Sequence, residues 1–273
     1  MKPERVTALY FSPTGSTAKA AATLAEELAA QLKITAANRS FTRPAEREQE
    51  VSFTEKDLVV VASPTYAGKL PNKILPDFRG KLHGNGALAV AAVTFGNRSY
   101  DNSLAELCAV LQECGFRTVA AGAFVCRHAF TDELAYGRPG WSDSFESKAF
   151  AKNVAVKVMG LTDTVPPLAV PGDADAPYYV PKGTDGEPAK FLKAKPKTNL
   201  SRCSRCGACA RVCPMGAIDP KNTDEVPGTC IKCHACVRKC TKSAKFFDDP
   251  AFLSHRAMLE QNFRDPKENE VFL

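Results

Sequence analysis

Two periods of apolar and polar positions alternate along the first 160 residues. Val6 to Phe11 (VTALYF) is an apolar run stopped by Ser12-Pro13, the form of a strand buried on both faces. From Ser16 to Lys33 the period becomes helical, with Ala21, Leu24, Ala25, Leu28 and Leu32 on one stripe. A weaker strand is predicted over Ile34–Arg39. Leu58–Ala62 (LVVVA) is continuous and β-branched, as in the middle of a parallel sheet. Ala87–Thr94 predicts a fourth strand and Thr118–Val125 a fifth. Leu104, Leu107, Cys108 and Leu111 predict a helix over 103–114, and Phe145–Met159 predicts a closing helix. This alternation specifies an α/β fold over residues 1–160: a five-stranded parallel sheet with helices on both faces.

The alternation stops at Gly160. Residues 161–197 hold seven of the nineteen prolines and little periodicity, so they read as an extended connector. A cysteine-rich unit follows over 198–245. In the last unit, 246–273, Asp249-Pro250 has the form of an N-cap followed by proline at the first helical position. A helix is expected from there to Phe263. The tail from Arg264 is expected either to be disordered or to dock on the first domain through Val271-Phe272-Leu273.

Composition is that of a globular chain, 44% hydrophobic and 24% charged. The longest apolar run, Ala87–Val93, is too short to cross a bilayer. Met1–Arg5 leads into a strand and lacks the form of a signal peptide. The expectation is a soluble cytoplasmic protein with no membrane partner. Eight of the eleven cysteines fall between Cys203 and Cys240, and in a reducing compartment such a cluster points to metal more than to disulfides. Charge is uneven too: the net +6 divides into +9 over Lys193–Lys245 and −3 elsewhere, which invites a nucleic-acid reading.

The cysteines themselves alter that reading. Cys203-x2-Cys206-x2-Cys209-x3-Cys213-Pro214 and Cys230-x2-Cys233-x2-Cys236-x3-Cys240-Thr241 share one spacing. It is that of bacterial two-cluster ferredoxins, in which the fourth cysteine of each run ligates the other cluster. Three cysteines at short intervals wrap one cubane, and the fourth begins a helix directed at its partner. The expected ligands are therefore Cys203, Cys206, Cys209 and Cys240 for one 4Fe–4S cluster, and Cys230, Cys233, Cys236 and Cys213 for the second. A pair of four-thiolate zinc sites is the alternative, although zinc modules usually join two C-x2-C elements across a longer spacer. Each oxidised cluster with its thiolates carries a charge of about −2, so two would offset much of the local excess and remove most of the case for nucleic acid. Lys232, Arg238 and Lys239 then read as a solvated face, with a basic dock for an acidic electron-transfer partner as the alternative.

Ligands of open α/β sheets bind beyond the carboxyl ends of the strands. After strand one, Ser12-Pro13-Thr14-Gly15-Ser16-Thr17 offers hydroxyls and backbone N–H groups at a helix start, which suits a phosphate or a plain helix cap. It lacks the Gly-Lys-Ser/Thr of a P-loop, and no G-x-G-x-x-G occurs in the chain. Ser63–Pro71 after strand three and Thr94–Asp101 after strand four each add an aromatic ring, a glycine and backbone amides, the parts that hold a flat isoalloxazine.

On Thr14–Thr17, Pro64–Gly68 and Gly96–Asp101 the first domain resembles the flavodoxin family. With the cysteine runs, the chain resembles the flavodoxin–ferredoxin fusion flavoproteins of anaerobic metabolism. The resemblance implies FMN, with its phosphate on Ser12, Thr14, Gly15, Ser16 and Thr17. It implies ring contacts from Pro64, Thr65, Tyr66, Gly68, Thr94, Gly96, Asn97 and Tyr100. Arg98 stands where ordinary flavodoxins are acidic. Cys108, Cys114 and Cys126 read as buried thiols. His128 reads as structural or as a proton source for the flavin, and Trp141 as a helix cap or a cover for the ring.

Three functions are open to such a chain. The first is single-electron transfer between two 4Fe–4S clusters and FMN, an oxidoreductase role served by a ferredoxin-type protein redox partner. The second is an FMN-dependent reductase of a small-molecule acceptor, of quinone or nitro type. The third is a zinc module without enzymatic activity.

Overall fold

Alternate residues of the central strands point into two separate cores, and that sets the layers. A computed structural model describes residues 2–162 and 164–273, with Met1 and Asp163 outside the described residues. The strands are β1 (Arg5–Tyr10), β2 (Thr35–Ser40), β3 (Asp57–Pro64), β4 (Leu88–Phe95), β5 (Arg117–Val125) and β6 (Glu270–Phe272). Val6, Ala8, Val60, Ala62 and Val90 face α1 (Ser16–Leu32) and α4 (Trp141–Gly160). Leu9, Phe11, Val59, Val61 and Val93 face α2 (Leu75–Lys81) and α3 (Ser103–Glu113). Every residue of β4 is buried, which explains its unbroken apolar run.

The strand order is β2-β1-β3-β4-β5-β6. β1 to β5 are parallel, in the doubly wound order of flavodoxin-like sheets, and the order reverses between β1 and β3. The expected five-stranded sheet is thus corrected to six strands. β6, from the C-terminal tail, pairs antiparallel with β5. Three residues are too few to show a period, so the tail's pattern does not reveal a strand. The tail is held by side chains: Asn97 donates to the carbonyls of Phe263 (2.6 Å) and Asp265 (3.0 Å), and Asn269 accepts from the Val125 N–H at 2.8 Å. Tyr100 donates to Glu270 at 2.6 Å.

The proline-rich segment lies across the sheet domain. Tyr178 donates to the Leu70 carbonyl at 2.8 Å, and the Tyr179 N–H donates to that of Ala67 at 2.8 Å. Lys197–Thr198 then pairs antiparallel with Lys245–Phe246, closing the cysteine module at its two ends. Within it, α5 (Ala208–Arg211) and α6 (Ala235–Arg238) are short helices at equivalent places in the two runs. The last helix, α7 (Pro250–Asn262), begins where Asp249 caps the Phe252 N–H at 2.9 Å. Its Phe252 joins Phe191 and Phe247 in an aromatic core against which Phe130, from the loop after β5, also packs. Among the described residues no helix is long and apolar enough to cross a membrane.

Candidate functional site

The two cysteine runs repeat in backbone as well as in spacing. Arg205 and Lys232 are left-handed, as are Gly207 and His234, at matching positions 27 residues apart. The Arg205 N–H donates to Cys203 Sγ and the Lys232 N–H to Cys230 Sγ, each at 3.4 Å. The Ala217 N–H donates to Cys213 Sγ at 3.3 Å and the Ala244 N–H to Cys240 Sγ at 3.2 Å. Such N–H···S bonds favour thiolates and tune iron–sulfur sites.

Cys213 comes together with Cys230, Cys233 and Cys236 on one cavity, whose other walls include Met215, Ile218, Ile231 and Phe247. Each of those three thiols senses the charge of Cys213. Burial pushes Cys233 well up and Cys236 up to about 12, so these thiols would ionise only with a cation to offset the charge. This donor set fits a cluster. Of the other expected set, Cys203, Cys209 and Cys240 are half-buried and Cys206 is exposed. The Ala208 N–H holds the Cys206 thiol below its ordinary value. Among the described residues, no three His, Cys, Asp or Glu close around a single metal ion.

The loop after β1 divides its hydroxyls between two tasks. Ser12 Oγ accepts from the Ala18 N–H at 2.9 Å, and Thr17 shares a buried 2.7 Å hydrogen bond with Thr94. These three side chains hold the loop together. Thr14 and Ser16 line the cavity between this loop and the cysteine module. Gly15, at φ +103°, starts α1 in a conformation that an L side chain rarely adopts. Hydroxyls on a cavity at the start of a long helix fit a phosphate.

The loop after β3 is a tight turn. Tyr66 and Lys69 exchange backbone bonds of 2.8 and 3.2 Å, and Ala67 and Gly68 between them both take positive φ. A side chain at Gly68 would collide with Asp101. Thr65 Oγ1 pairs with Ser103 Oγ at 2.6 Å, pinning the loop to α3. Burial raises the Tyr66 hydroxyl well above its ordinary value, and the facing Cys233 and Cys230 push it the same way. The loop after β3 therefore lies within electrostatic reach of the second cysteine run at Tyr66.

The loop after β4 departs from expectation. Asn97 and Tyr100 bond the C-terminal tail through their side chains and clamp it. Gly96 admits the His128 imidazole, which a β-carbon there would overlap. His128 Nδ1 accepts from the Phe130 N–H at 3.1 Å. Burial, with His255, Arg238 and Arg98 nearby, brings His128 down to about 3 from 6.5, so it is neutral at neutral pH. Arg98 pairs with Asp101 and lies 4.1 Å from the Tyr179 ring centroid. Trp141, the first residue of α4, is 84% exposed and stacks on Phe145. Cys126 is buried, while Cys108 and Cys114 are partly so.

Several residues that join the parts were not marked by any motif. Lys69 and Glu106, both buried, pair at 3.2 Å, and Lys69 also donates to the carbonyls of Ala174 and Ala176. Arg47 bonds Asp77 and the Pro214 carbonyl, beside Cys213. Arg238 is not on a solvated face: it donates to the carbonyls of Ala129, His128 and Thr131 and pairs with Asp132. Lys232 is half-buried and donates to the Leu192 carbonyl at 2.7 Å. A lone basic residue carries no sequence signal for such a task; Lys69, Arg47 and Arg238 each reach at least one carbonyl more than a hundred positions away.

Residues 196–219, around the first cysteine run, match the family model of a 4Fe-4S binding domain. A comparison with curated proteins finds no match. Among solved structures, the chain is similar to a flavodoxin from the domain Archaea, at 16% identity over 58% of this chain and 99% of that one, with TM-score 0.39. It is similar to an NADH:FMN oxidoreductase in its apo form, at 17% identity over 59% and 91%, with TM-score 0.41. It is also similar to rubredoxin oxygen:oxidoreductase from Desulfovibrio gigas, at 20% identity over 58% and 37%, with TM-score 0.38. The stretch that matches a 4Fe-4S binding domain, residues 196–219, is joined in this chain to a doubly wound α/β sheet.

Proposed function

We propose that this protein is an electron-transfer flavoprotein carrying two 4Fe–4S clusters and FMN, and that it links a protein redox partner to flavin chemistry. The observation that carries the reading is the cavity shared by Cys213, Cys230, Cys233 and Cys236, with Cys230 and Cys233 close enough to act electrostatically on Tyr66 of the loop after β3. When bound, the clusters supply single-electron transfer and the flavin supplies one- or two-electron chemistry.

The chain's own residues hold and shield these groups. Cys230, Cys233, Cys236 and Cys213 hold one cluster against apolar walls; Cys203, Cys206, Cys209 and Cys240 hold the other. Thr14, Gly15 and Ser16 receive the FMN phosphate. Pro64, Thr65, Tyr66, Gly68 and the backbone of Thr94 and Gly96 form the ring side. The connector's bonds to Ala67 and Leu70 keep the ring-side loop in place. Exposed Cys206, with Arg202, Arg205 and Arg211 exposed in the same run, makes the first cluster the contact for an acidic redox protein.

Anaerobic purification with iron, sulfide, zinc and flavin analysis tests this. The expected result is about eight iron and eight sulfide per chain, with one FMN. A colourless protein containing zinc would overturn it. Steady turnover of a quinone or nitro compound by the reduced protein would replace electron transfer with small-molecule reduction as its role.

A further inference from the structure

Lys239 lies between Arg238 and Cys240 in the second cysteine run, yet its ammonium reaches the loop after β1. A β-carbon at Gly15 would sit 3.9 Å from Lys239 Nζ. Lys239 lines the same cavity as Thr14 and Ser16, together with Arg127, Arg238 and Lys245. Those other three cations are engaged. Arg127 pairs with Asp132, Arg238 with Asp132 and three carbonyls, and Lys245 donates to the Thr223 carbonyl at 2.5 Å. Among the described residues, Lys239 is the cavity cation left without a hydrogen bond or ion pair. The loop's own helix offers no substitute, because Lys19 Nζ is turned to the Pro139 carbonyl at 2.8 Å.

We propose that Lys239 is the cation of the flavin phosphate site, so that the sheet domain and the cysteine module hold the FMN phosphate jointly. This rests on the FMN reading above. A phosphomonoester dianion among hydroxyls and N–H groups alone is not neutralised, and a flexible ammonium is suited to it as a point charge. The consequence is reciprocal. Docking of the module tightens FMN, and bound FMN holds the module against the sheet by the same factor.

The test uses the full-length, cluster-loaded protein freed of flavin and titrated with FMN or riboflavin by fluorescence quenching. Riboflavin has the ring and no phosphate. Lys239→Ala is expected to weaken FMN about ten-fold, the lower end for a charge-assisted contact, and to leave riboflavin unchanged. Lys239→Arg should restore most of the loss, and the salt dependence of FMN binding should flatten in Lys239→Ala. Because Lys239 adjoins Cys240, iron and sulfide are measured alongside. Lys239→Gln, of similar length and uncharged, should show the same selective loss. Unchanged FMN affinity in both variants, or equal losses for both flavins, would overturn the assignment while leaving the FMN reading in place. Failure of the wild-type chain to bind either flavin would instead remove the FMN reading, and this proposal with it.

Discussion

The Arg238 guanidinium donates to the backbone carbonyl of His128 at 2.9 Å, joining the second cysteine run to the loop after β5. Bonds to Ala129, Thr131 and Asp132 complete the clamp. Arg238→Met removes the donors and leaves half-buried carbonyls without partners. Stability should fall by about 2–3 kcal/mol. Urea unfolding of the full chain checks the size, and faster proteolysis within residues 164–190 checks the cause. A variant as stable and as resistant as the wild type would deny Arg238 this role.

Cys213 shares a cavity with Cys230, Cys233 and Cys236, and on the reading proposed above it would be a ligand of the second run's cluster. In Cys213→Ala, iron and sulfide should fall by about half. The spectroscopic signature that remains should match that of a Cys203→Ala, Cys206→Ala double variant only if the crossed assignment is wrong. Distinct residual spectra, one per variant, are the expected result.

Thr17 and Ser16 should separate stability from flavin affinity. Thr17→Val leaves the Thr94 hydroxyl without its buried partner and should cost about 1–2 kcal/mol, with little change in FMN affinity. Ser16→Ala, on the cavity wall, should weaken FMN several-fold, as loss of one hydrogen bond does, with the melting temperature nearly unchanged. Thermal melts beside FMN titrations decide the matter. The reverse pattern would return Thr17 to the phosphate.

His128 gives the protein a pH dependence of defined sign. Its neutral form is kept in the fold down to about 3, whereas the unfolded chain takes up the proton near 6.5. Stability is therefore unaffected by this group above 6.5 and is lost as pH falls from 6.5 towards 3. Urea midpoints should decline between pH 7.5 and 5.5, by about 1 kcal/mol for one such proton. His128→Phe should reduce the slope without abolishing it, because His255 is also held below its ordinary value. An unchanged slope would show that His128 does not contribute.

The layers of the sheet domain are legible because period follows burial. A strand covered on both faces carries a continuous apolar run, as Leu58–Ala62 of β3 and Leu88–Val93 of β4 do, and a helix on one face must carry a stripe, as α1 does. The cysteine spacing is legible because a metal centre fixes its ligands' intervals. What the sequence conceals is the destination of single polar side chains. Asn97 and Tyr100 have the composition of a ligand loop, and only the returning tail shows them to be clamps. Thr17 reads as a phosphate residue, and nothing in its surroundings signals its hydrogen bond to Thr94, 77 positions away. Lys239 and Arg238 are adjacent in a basic stretch, yet one faces the loop after β1 and the other is spent on the loop after β5.

The late arrival of β6 has a cost during synthesis. A nascent chain that has emerged only through α4 presents β5 with one edge unpaired, and a bare parallel-sheet edge is a template for association with other chains. The cysteine runs and α7 must be made before Glu270–Phe272 can cap that edge. Covering of that edge at Ala121–Ala123 therefore waits on the segment that carries the cysteine runs, and truncation after α4 should yield a more aggregation-prone product than the full chain, as light scattering would show.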